Sequence, residues 1–360
     1  MTFDFAKRRR AVLGELRRRG LDCLLVVNPA NWYYLTGFTG EAGALVLSSA
    51  GSTLITDGRF TIQAGEEAPG IRVELQRGSL FGYTGEFLQR RGFRRVGFDP
   101  RHLTIEQWNA LRRRRGGKWK GIVAGGIVEG LRMRKDAAEL AVMRKAAILA
   151  SEVMEHAVAQ LRPGVRESEI AAEIEFQMRR RGASGASFET IVASGARSAL
   201  PHARPTAKKL RKNELVVLDL GAILAHYCSD MTRTVYLGRA PRRVREWYAA
   251  VQEAEQAGIA AVEAGVACGA VDEAARSVLR KHKLEGYFVH STGHGLGLEV
   301  HEDPRVARGQ EIRLEAGTAI TIEPGVYVEG AGGIRIEDDV VAGARGREVL
   351  TRVRRDLIEI

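Results

Sequence analysis

The feature of this sequence that most constrains its fold is an acidic residue placed at the end of an apolar run. In ELVVLDLG, residues 214–221, a strand-like apolar run leads directly into Asp219. Burying a carboxylate there is unfavourable unless a cation or hydrogen-bond donors neutralise it. Asp230 stands eleven residues later in SDMTRTV, where period-two alternation places Asp230, Thr232 and Thr234 on one face. A hairpin between the two strands is therefore expected to bring the two aspartates together.

A similar arrangement recurs near the C-terminus. In AITIEPG, Glu323 shares a strand face with Thr321, and a Pro-Gly pair turns the chain immediately afterwards. In GGIRIEDD, Arg335 and Glu337 share a face in the same way. Between the two pairs of acidic segments lies His294, in HSTGHGLGLEVHEDP, where neighbouring glycines let the backbone approach a ligand closely. Each strand thus presents one carboxylate at an otherwise apolar or β-branched position.

Together these segments supply four carboxylates and one imidazole. Such a mixed oxygen and nitrogen set suits two divalent ions, with Mn, Co, Zn and Fe as candidates, because the motifs offer no pair of soft thiolates. Taken singly, each acidic residue also fits a strand-end or turn residue hydrogen-bonded to the backbone, so the metal hypothesis depends on the whole set. The chain has no HExxH motif, because His301-Glu302 continues as Asp303-Pro304, and this excludes a zincin-type protease.

Strand-like and helix-like segments alternate in the first third of the chain, which predicts a small α/β layer domain. An arginine run at 112–115 and the glycine pairs 116–117 and 125–126 break this pattern, so the domain is expected to cover residues 1–128. The chain then continues with two helices, antiparallel ribbons and two further helices. The predicted fold class is α/β in the broad sense, with an α+β domain at 129–360.

The composition favours a reducing compartment and excludes several classes of protein. Three widely spaced cysteines in 360 residues argue against a disulfide framework and a cysteine zinc site, which favours the cytoplasm. The sequence shows no signal peptide and no uncharged apolar stretch of about 18 residues, so no membrane span is expected. The net charge of +11 falls almost wholly in residues 1–128, which carry +10. Charge steers association without specifying a partner, so a nucleic-acid partner is disfavoured.

The chemistry-bearing segments resemble those of the pita-bread metallopeptidase family, which includes methionine aminopeptidase, Xaa-Pro aminopeptidase and prolidase. The resemblance is carried by VVLDLGA, YCSDMTRTV, STGHGLGLEVHEDP, ITIEPGVYV, GGIRIEDD and, upstream, LPHARPT. It covers residues 129–360, and NPANWYYLTGF extends it to the N-terminal domain. It implies a creatinase-like α/β domain followed by a pita-bread catalytic domain.

Position by position, the resemblance implies five metal ligands for two divalent ions, with manganese as the first choice. These ligands are Asp219, Asp230, His294, Glu323 and Glu337. Asp230 and Glu337 would bridge the ions, and Glu323 would also pass a proton onward. His202, in the loop SALPHARPT, and His301 would donate to the tetrahedral intermediate or position the scissile peptide.

The resemblance also implies the activity, which is hydrolysis of the bond between an N-terminal residue and a following proline. Proline lacks an N–H and has a fixed φ, which defeats proteases that bind extended backbone. The substrates would be short peptides and the enzyme a homodimer. Arg335 would buttress the metal-binding carboxylates, bind the carboxylate of a dipeptide, or form a plain salt bridge; the second role favours a dipeptidase over an aminopeptidase. A methionine-type aminopeptidase, and a non-catalytic binding protein on the same fold, are the alternatives.

The remaining histidines are weaker candidates for a role in the site. His290, four residues before His294, is expected to orient the metal ligands. His226 stands in a turn whose geometry the sequence leaves open. Three more histidines in helix-like, charged surroundings are expected to be solvated, namely His102, His156 and His282.

Overall fold

A computed structural model describes residues 3–113 and 119–360 of the chain. The chain divides into two compact units, Met1–Arg132 and Met133–Ile360. The domain boundary expected at residue 128 stays a prediction, and residues 114–117 of the arginine and glycine break lie outside the described residues.

The first unit is an α/β layer built on one mixed sheet. Its helices are α1 (Phe5–Arg19), α2 (Pro29–Thr36), α3 (Thr61–Glu67), α4 (Leu80–Arg90) and α5 (Ile105–Arg112). Its strands are β1 (Cys23–Val26), β2 (Ala44–Ser48), β3 (Gly51–Thr56), β4 (Arg72–Leu75), β5 (Arg95–Phe98) and β6 (Lys120–Val123). They lie in the order β4-β3-β2-β1-β5-β6, and β1 pairs parallel with β5 and antiparallel with β2. A further helix, α6 (Ile127–Met133), follows β6.

Helix α2 was not expected from the sequence, although the segment carries local start and stop signals for a helix. The Asn28 side chain caps the first turn, Pro29 occupies the start of the helix, and Gly37 ends it at a φ of 85°. The side chains of Trp32 and Tyr34 are buried, so these two aromatic residues belong to the core of the first unit.

The second unit combines four long helices with several short sheets. Its helices are α7 (Ala137–Gln160), α8 (Glu167–Arg180), α9 (Arg242–Ala261) and α10 (Cys268–Lys281). Its strands are β7 (Gly185–Ala186), β8 (Ile191–Ser194), β9 (Glu214–Leu220), β10 (Ala222–Leu224), β11 (Tyr227–Cys228), β12 (Met231–Leu237), β13 (Gly293–Gly295), β14 (Glu302–Val306), β15 (Ala319–Ile322), β16 (Gly325–Val328), β17 (Gly332–Arg335), β18 (Asp338–Ala342), β19 (Arg347–Val349) and β20 (Ile358–Glu359). The two larger sheets have the orders β20-β12-β9-β8 and β14-β13-β15-β18-β19.

Helix pairs cover the strands of the second unit. α7 packs on α8, and α9 packs on α10. Under the first pair, Met154 and Ile174 share a core cluster with Val216 of β9 and Val235 of β12. Each large apolar side chain buried in this way stabilises the fold by roughly 1.5–3 kcal/mol. This packing holds the strands in place. The ends of these and neighbouring strands carry the acidic residues Asp219, Asp230, Glu323 and Glu337.

The turn around His226 has a defined geometry, which the sequence left open. Ala225 and His226 both have positive φ values, 44° and 69°, and Leu224 pairs with Tyr227 across the turn. Two consecutive residues of this kind make the two-residue turn that matches the twist of a β-hairpin. His226 therefore serves a turn that usually favours asparagine or glycine.

The three cysteines, Cys23, Cys228 and Cys268, are free and buried. Within residues 3–113 and 119–360, no helix combines the length and the apolar character that crossing a membrane requires.

Candidate metal centre

Two antiparallel strands bring Asp219 and Asp230 to the same end of a ribbon. β9 pairs with β12 so that Thr232 lies opposite Asp219, and Asp230 immediately precedes β12. The β10 and β11 hairpin connects the two strands, so the two aspartates converge as the sequence pattern predicts. The backbone N–H of Asp230 donates to Asp339 Oδ2 at 3.1 Å, which fixes the chain at this point. Asp219 and Asp230 are both buried.

A second antiparallel pair of strands brings Glu323 and Glu337 to the same end of a ribbon. β15 pairs with β18 so that Ile322 lies opposite Asp338. Glu323 follows Ile322 and Glu337 precedes Asp338, so both glutamates leave the ribbon at one end. The Thr232 hydroxyl donates to Glu337 Oε2 at 2.6 Å, which connects the two ribbons through their polar ends.

His294 lies on β13 and faces the carboxylates with one ring nitrogen. Its Nδ1 is 3.0 Å from the carbonyl oxygen of Gly295, which accepts the ring proton and leaves the Nε2 lone pair available. Nε2 lies 3.4 Å from Glu323 Oε1 and 3.7 Å from Asp230 Oδ2. Asp230, His294 and Glu337 each offer a ligand atom within 4.8 Å of the other two. This spacing suits atoms that share a metal ion.

The acidic groups perturb one another strongly. Burial, and then the charges of Glu337 and Asp219, raise the pKa of Asp230 well above its usual value. Burial, and then Glu323 and Asp219, do the same to the pKa of Glu337. Burial also raises the pKa of Glu323 to about 8 and lowers the pKa of His294 to about 4. Desolvated carboxylates that repel one another, beside a neutral imidazole, indicate a site that requires additional positive charge.

An unsatisfied oxygen supports the same conclusion. Asp219 Oδ1 is buried and has no hydrogen-bond partner among residues 3–113 and 119–360. Buried polar oxygens are rarely left in this state without an ion or a water molecule. Carboxylate oxygens with one imidazole nitrogen accommodate Mn, Co, Zn or Fe. The residues present therefore fit divalent metal ions.

Arg335 is committed to contacts inside the protein. Its guanidinium donates to Asp219 Oδ2 at 2.5 Å, to the Thr232 hydroxyl at 3.0 Å and to the Tyr327 hydroxyl at 2.7 Å. A further donation reaches the carbonyl oxygen of Pro201 at 3.2 Å, and the side chain is buried. The geometry favours the buttressing role. The expectation that Arg335 binds a substrate carboxylate stays a prediction, because the four donations use four of its five N–H groups.

His202 and His301 lie on exposed segments beside the carboxylates. The ring of His301 meets that of His294 edge to face, with a centroid separation of 4.4 Å. Burial, and then the proximity of His202, lower the pKa of His301. Both exposed histidines therefore lie near one another, and His301 lies beside His294 and near Asp219.

The contacts of Tyr327 were not expected from the sequence, and neither was the position of His290 between Tyr327 and Glu323. The Tyr327 hydroxyl accepts from Arg335 and lies 2.8 Å from His290 Nε2. His290 Nδ1 lies 4.0 Å from Glu323 Oε2, and burial, followed by the charge of Arg335, lowers the pKa of His290 to about 4. The available signal was a phenol in the otherwise apolar strand GVYV.

Of the other three histidines, His282 is exposed, as expected, whereas His102 and His156 are half-buried. Each lies within hydrogen-bond distance of a glutamate, and the pairs are His102–Glu129 at 2.9 Å, His156–Glu173 at 2.8 Å and His282–Glu253 at 2.7 Å. His102 also lies close to Asp99, but Arg101 pairs with Asp99 and Asn31 donates to Glu129. These contacts make that group an internally neutralised ion-pair network.

Comparison with known proteins identifies the class. Residues 141–344 match metallopeptidase family M24, and residues 8–134 match the creatinase/prolidase N-terminal domain. The chain therefore belongs to metallopeptidase family M24, with a creatinase/prolidase N-terminal domain. The expected family and fold class are confirmed.

Individual relatives align over nearly the whole chain. A Xaa-Pro dipeptidase of Pyrococcus horikoshii is 33% identical over 349 residues, which are 96% of this chain and 97% of that protein. The solved structure of a Xaa-Pro dipeptidase from Bacillus anthracis has a TM-score of 0.95 and 36% identity, covering 99% of this chain and 100% of that one. The structure of an X-Pro aminopeptidase from Thermotoga maritima has a TM-score of 0.91 and 33% identity, covering 98% and 99%.

We predict that the metal-free protein loses stability as the pH rises from about 7 to about 8, a range in which His290 and His294 are already neutral in the folded state and mostly neutral in the unfolded state. In this window the unfolded glutamate has released its proton, whereas folded Glu323 keeps it because burial raises its pKa to about 8. The unfolded state then binds fewer protons, so the free energy of unfolding falls with rising pH. Thermal unfolding of chelator-treated protein across this range measures the effect.

The controls are the metal-loaded protein and the metal-free variant Glu323→Gln. Bound cations favour the ionised carboxylates, and the amide of Glu323→Gln removes one titrating group. The free energy of unfolding should therefore fall less steeply with pH in both control proteins. A melting temperature of the metal-free protein that stays level or rises over this range contradicts the prediction.

Proposed function

We propose that this protein is a metal-dependent peptidase that hydrolyses the bond between an N-terminal residue and a following proline. The observation that carries the proposal is the convergence of four buried or mostly buried carboxylates and His294 in a chain of metallopeptidase family M24. Relatives that align over nearly the whole chain bear the names Xaa-Pro dipeptidase and X-Pro aminopeptidase. Short proline-containing peptides are therefore the proposed substrates.

Five side chains would hold two divalent ions, with manganese as our first choice and Co, Zn or Fe as alternatives. They are Asp219, Asp230, His294, Glu323 and Glu337. Burial and neighbouring carboxylates raise the pKa values of Asp230 and Glu337 well above their usual values, and these two side chains would hold the ions together with the other three ligands. When bound, the ions would lower the pKa of a water molecule and polarise the scissile carbonyl.

The protein's own residues orient the reacting groups and move the proton. Arg335 holds Asp219, and Thr232 holds Glu337, through the contacts described above. Glu323 accepts from the Thr321 hydroxyl at 3.2 Å and is the group proposed to pass a proton to the proline nitrogen. This proton is needed because the proline nitrogen is a tertiary amide and must leave as an amine.

His202 and His301 are proposed to donate to the oxyanion or to position the scissile peptide. Their exposure, with His301 packed edge to face against His294, supports this role. Hydrogen-bond donors aimed at a developing oxyanion often provide the largest part of the rate enhancement.

The alternatives have less support. A methionine-type aminopeptidase would not need the domain that matches the creatinase/prolidase N-terminal domain over residues 8–134. A non-catalytic protein on this fold would be expected to have lost ligands, whereas all five are present. We further propose that the enzyme is a homodimer in the cytoplasm, where three buried free cysteines are stable.

We predict that His202→Ala and His301→Ala lose turnover while keeping their metal. Neither residue belongs to the strand-borne ligand set, and removal of one oxyanion donor costs about 100-fold to 1000-fold in kcat. Metal content and kcat are measured on the same purified samples, with His282→Ala on the exposed surface as the matched control. Loss of bound metal in either active-site variant would contradict the assigned role.

We predict that the enzyme cleaves Xaa-Pro dipeptides faster than the same peptides amidated or extended at the C-terminus. The dipeptidase names of the relatives support this order. The comparison uses kcat/KM with added Mn, Co or Zn, and an Xaa-Ala peptide controls for the proline requirement. An unchanged or higher rate on the blocked peptide establishes an aminopeptidase instead, and equal cleavage of Xaa-Ala removes the proline assignment.

A further inference from the structure

His202 lies in a loop whose two ends meet at one buried side chain. The loop, residues 194–206, begins at the last residue of β8 and runs to Thr206. Glu167, the first residue of α8, is fully buried and contacts both ends. The loop is therefore closed by a residue that lies outside it in the sequence.

Each carboxylate oxygen of Glu167 accepts hydrogen bonds from one end of the loop. Oε1 accepts from the backbone N–H of Ser194 at 2.9 Å and from the Ser194 hydroxyl at 2.8 Å. Oε2 accepts from the backbone N–H of Thr206 at 3.1 Å and from the Thr206 hydroxyl at 2.7 Å. Arg197 Nε also donates to Oε2 at 3.2 Å and supplies the countercharge for the buried carboxylate. A single side chain thus satisfies five donors.

The middle of the same loop is attached to the strand that carries Arg335. Gly333 N donates to the Ser198 hydroxyl at 2.9 Å, and Arg335 donates to the carbonyl oxygen of Pro201 at 3.2 Å. A Cβ atom at Gly333 would collide with the backbone of Ser198, so the loop and β17 are in close contact. His202 immediately follows Pro201, and its position therefore depends on the loop conformation.

We propose that Glu167 is a positioning residue that sets the conformation of the His202 loop for the reaction. This inference rests on the proposed function for its effect on catalysis, and on the hydrogen bonds alone for its effect on the loop. Without the carboxylate, the two loop ends lose their shared partner and the loop gains conformational freedom. A displacement of about 1 Å in a positioning group can cost roughly 100-fold in rate.

The test compares Glu167→Ala and Glu167→Gln with Ile174→Ala as the matched control. Ile174 lies on the same helix and is fully buried in a core cluster that includes no residue of the loop, so its truncation is expected to destabilise the unit chiefly through lost packing. In Glu167→Gln, the side-chain amide can accept at one end only and presents an NH2 group to the donors of the other end. Glu167→Gln should therefore have an intermediate effect.

The full-length, metal-loaded proteins are assayed well below their melting temperatures for kcat, KM, metal content and hydrogen exchange. For Glu167→Ala we expect about 100-fold lower kcat with metal retained, and faster exchange of the Ser194 and Thr206 amides. Ile174→Ala should keep kcat within a few-fold of the wild type and keep these amides protected. Equal kcat losses in the two variants, or unchanged exchange at both amides, would overturn the proposal.

Two outcomes separate this inference from the proposed function. If the wild type does not cleave proline peptides, the proposed function is wrong, and the exchange of the Ser194 and Thr206 amides alone decides the role of Glu167. If Glu167→Ala does not fold, Glu167→Gln carries the same measurements. In that variant an unchanged kcat and unchanged protection overturn the proposal, and a lower kcat with retained metal supports it.

Discussion

Mutual repulsion among desolvated carboxylates is the constraint on which the second unit depends. Four acidic side chains converge at the ends of two antiparallel ribbons, namely Asp219, Asp230, Glu323 and Glu337. One arginine, Arg335, offsets part of their charge. Burial of the remaining charge is strongly unfavourable unless protons or cations balance it. A fold that places four such groups together has therefore been organised around a cation site.

Rigid surroundings hold these groups in position. The Thr232 hydroxyl contacts both Glu337 and Arg335, and Arg335 in turn contacts Asp219 and Tyr327. Because the strands that carry these residues are packed under long helices, small displacements of one side chain are resisted by the others. Groups outside the ligand set thus preserve the geometry that hydrolysis requires.

The convergence of the acidic residues at the end of each ribbon could be predicted from sequence because its signals are local, whereas their role as metal ligands stays a proposal. Asp219, Asp230, Glu323 and Glu337 follow period-two alternation and turn residues within a few positions of each other. The particular partners of Arg335 could not be predicted, since its contacts with Thr232 and Pro201 join residues 103 and 134 positions apart. The same holds for Glu167 and its partners 27 and 39 residues further along the chain. α2 was not predicted for a different reason, because its apolar residues show no regular helical spacing. Its capping residues, Asn28 and Gly37, are nevertheless typical of helix ends.

The dependence of hydrolysis on metal ions held by the carboxylates and His294 is tested most directly by a metal titration of chelator-treated protein, with turnover followed in parallel. We expect each chain to bind two divalent ions, and we expect hydrolysis of proline peptides to appear only as these sites fill. Asp230→Ala and Glu337→Ala should lose both the metal and several orders of magnitude in rate. Full turnover by wild-type protein that holds far less than one ion per chain would show that hydrolysis does not require these ions.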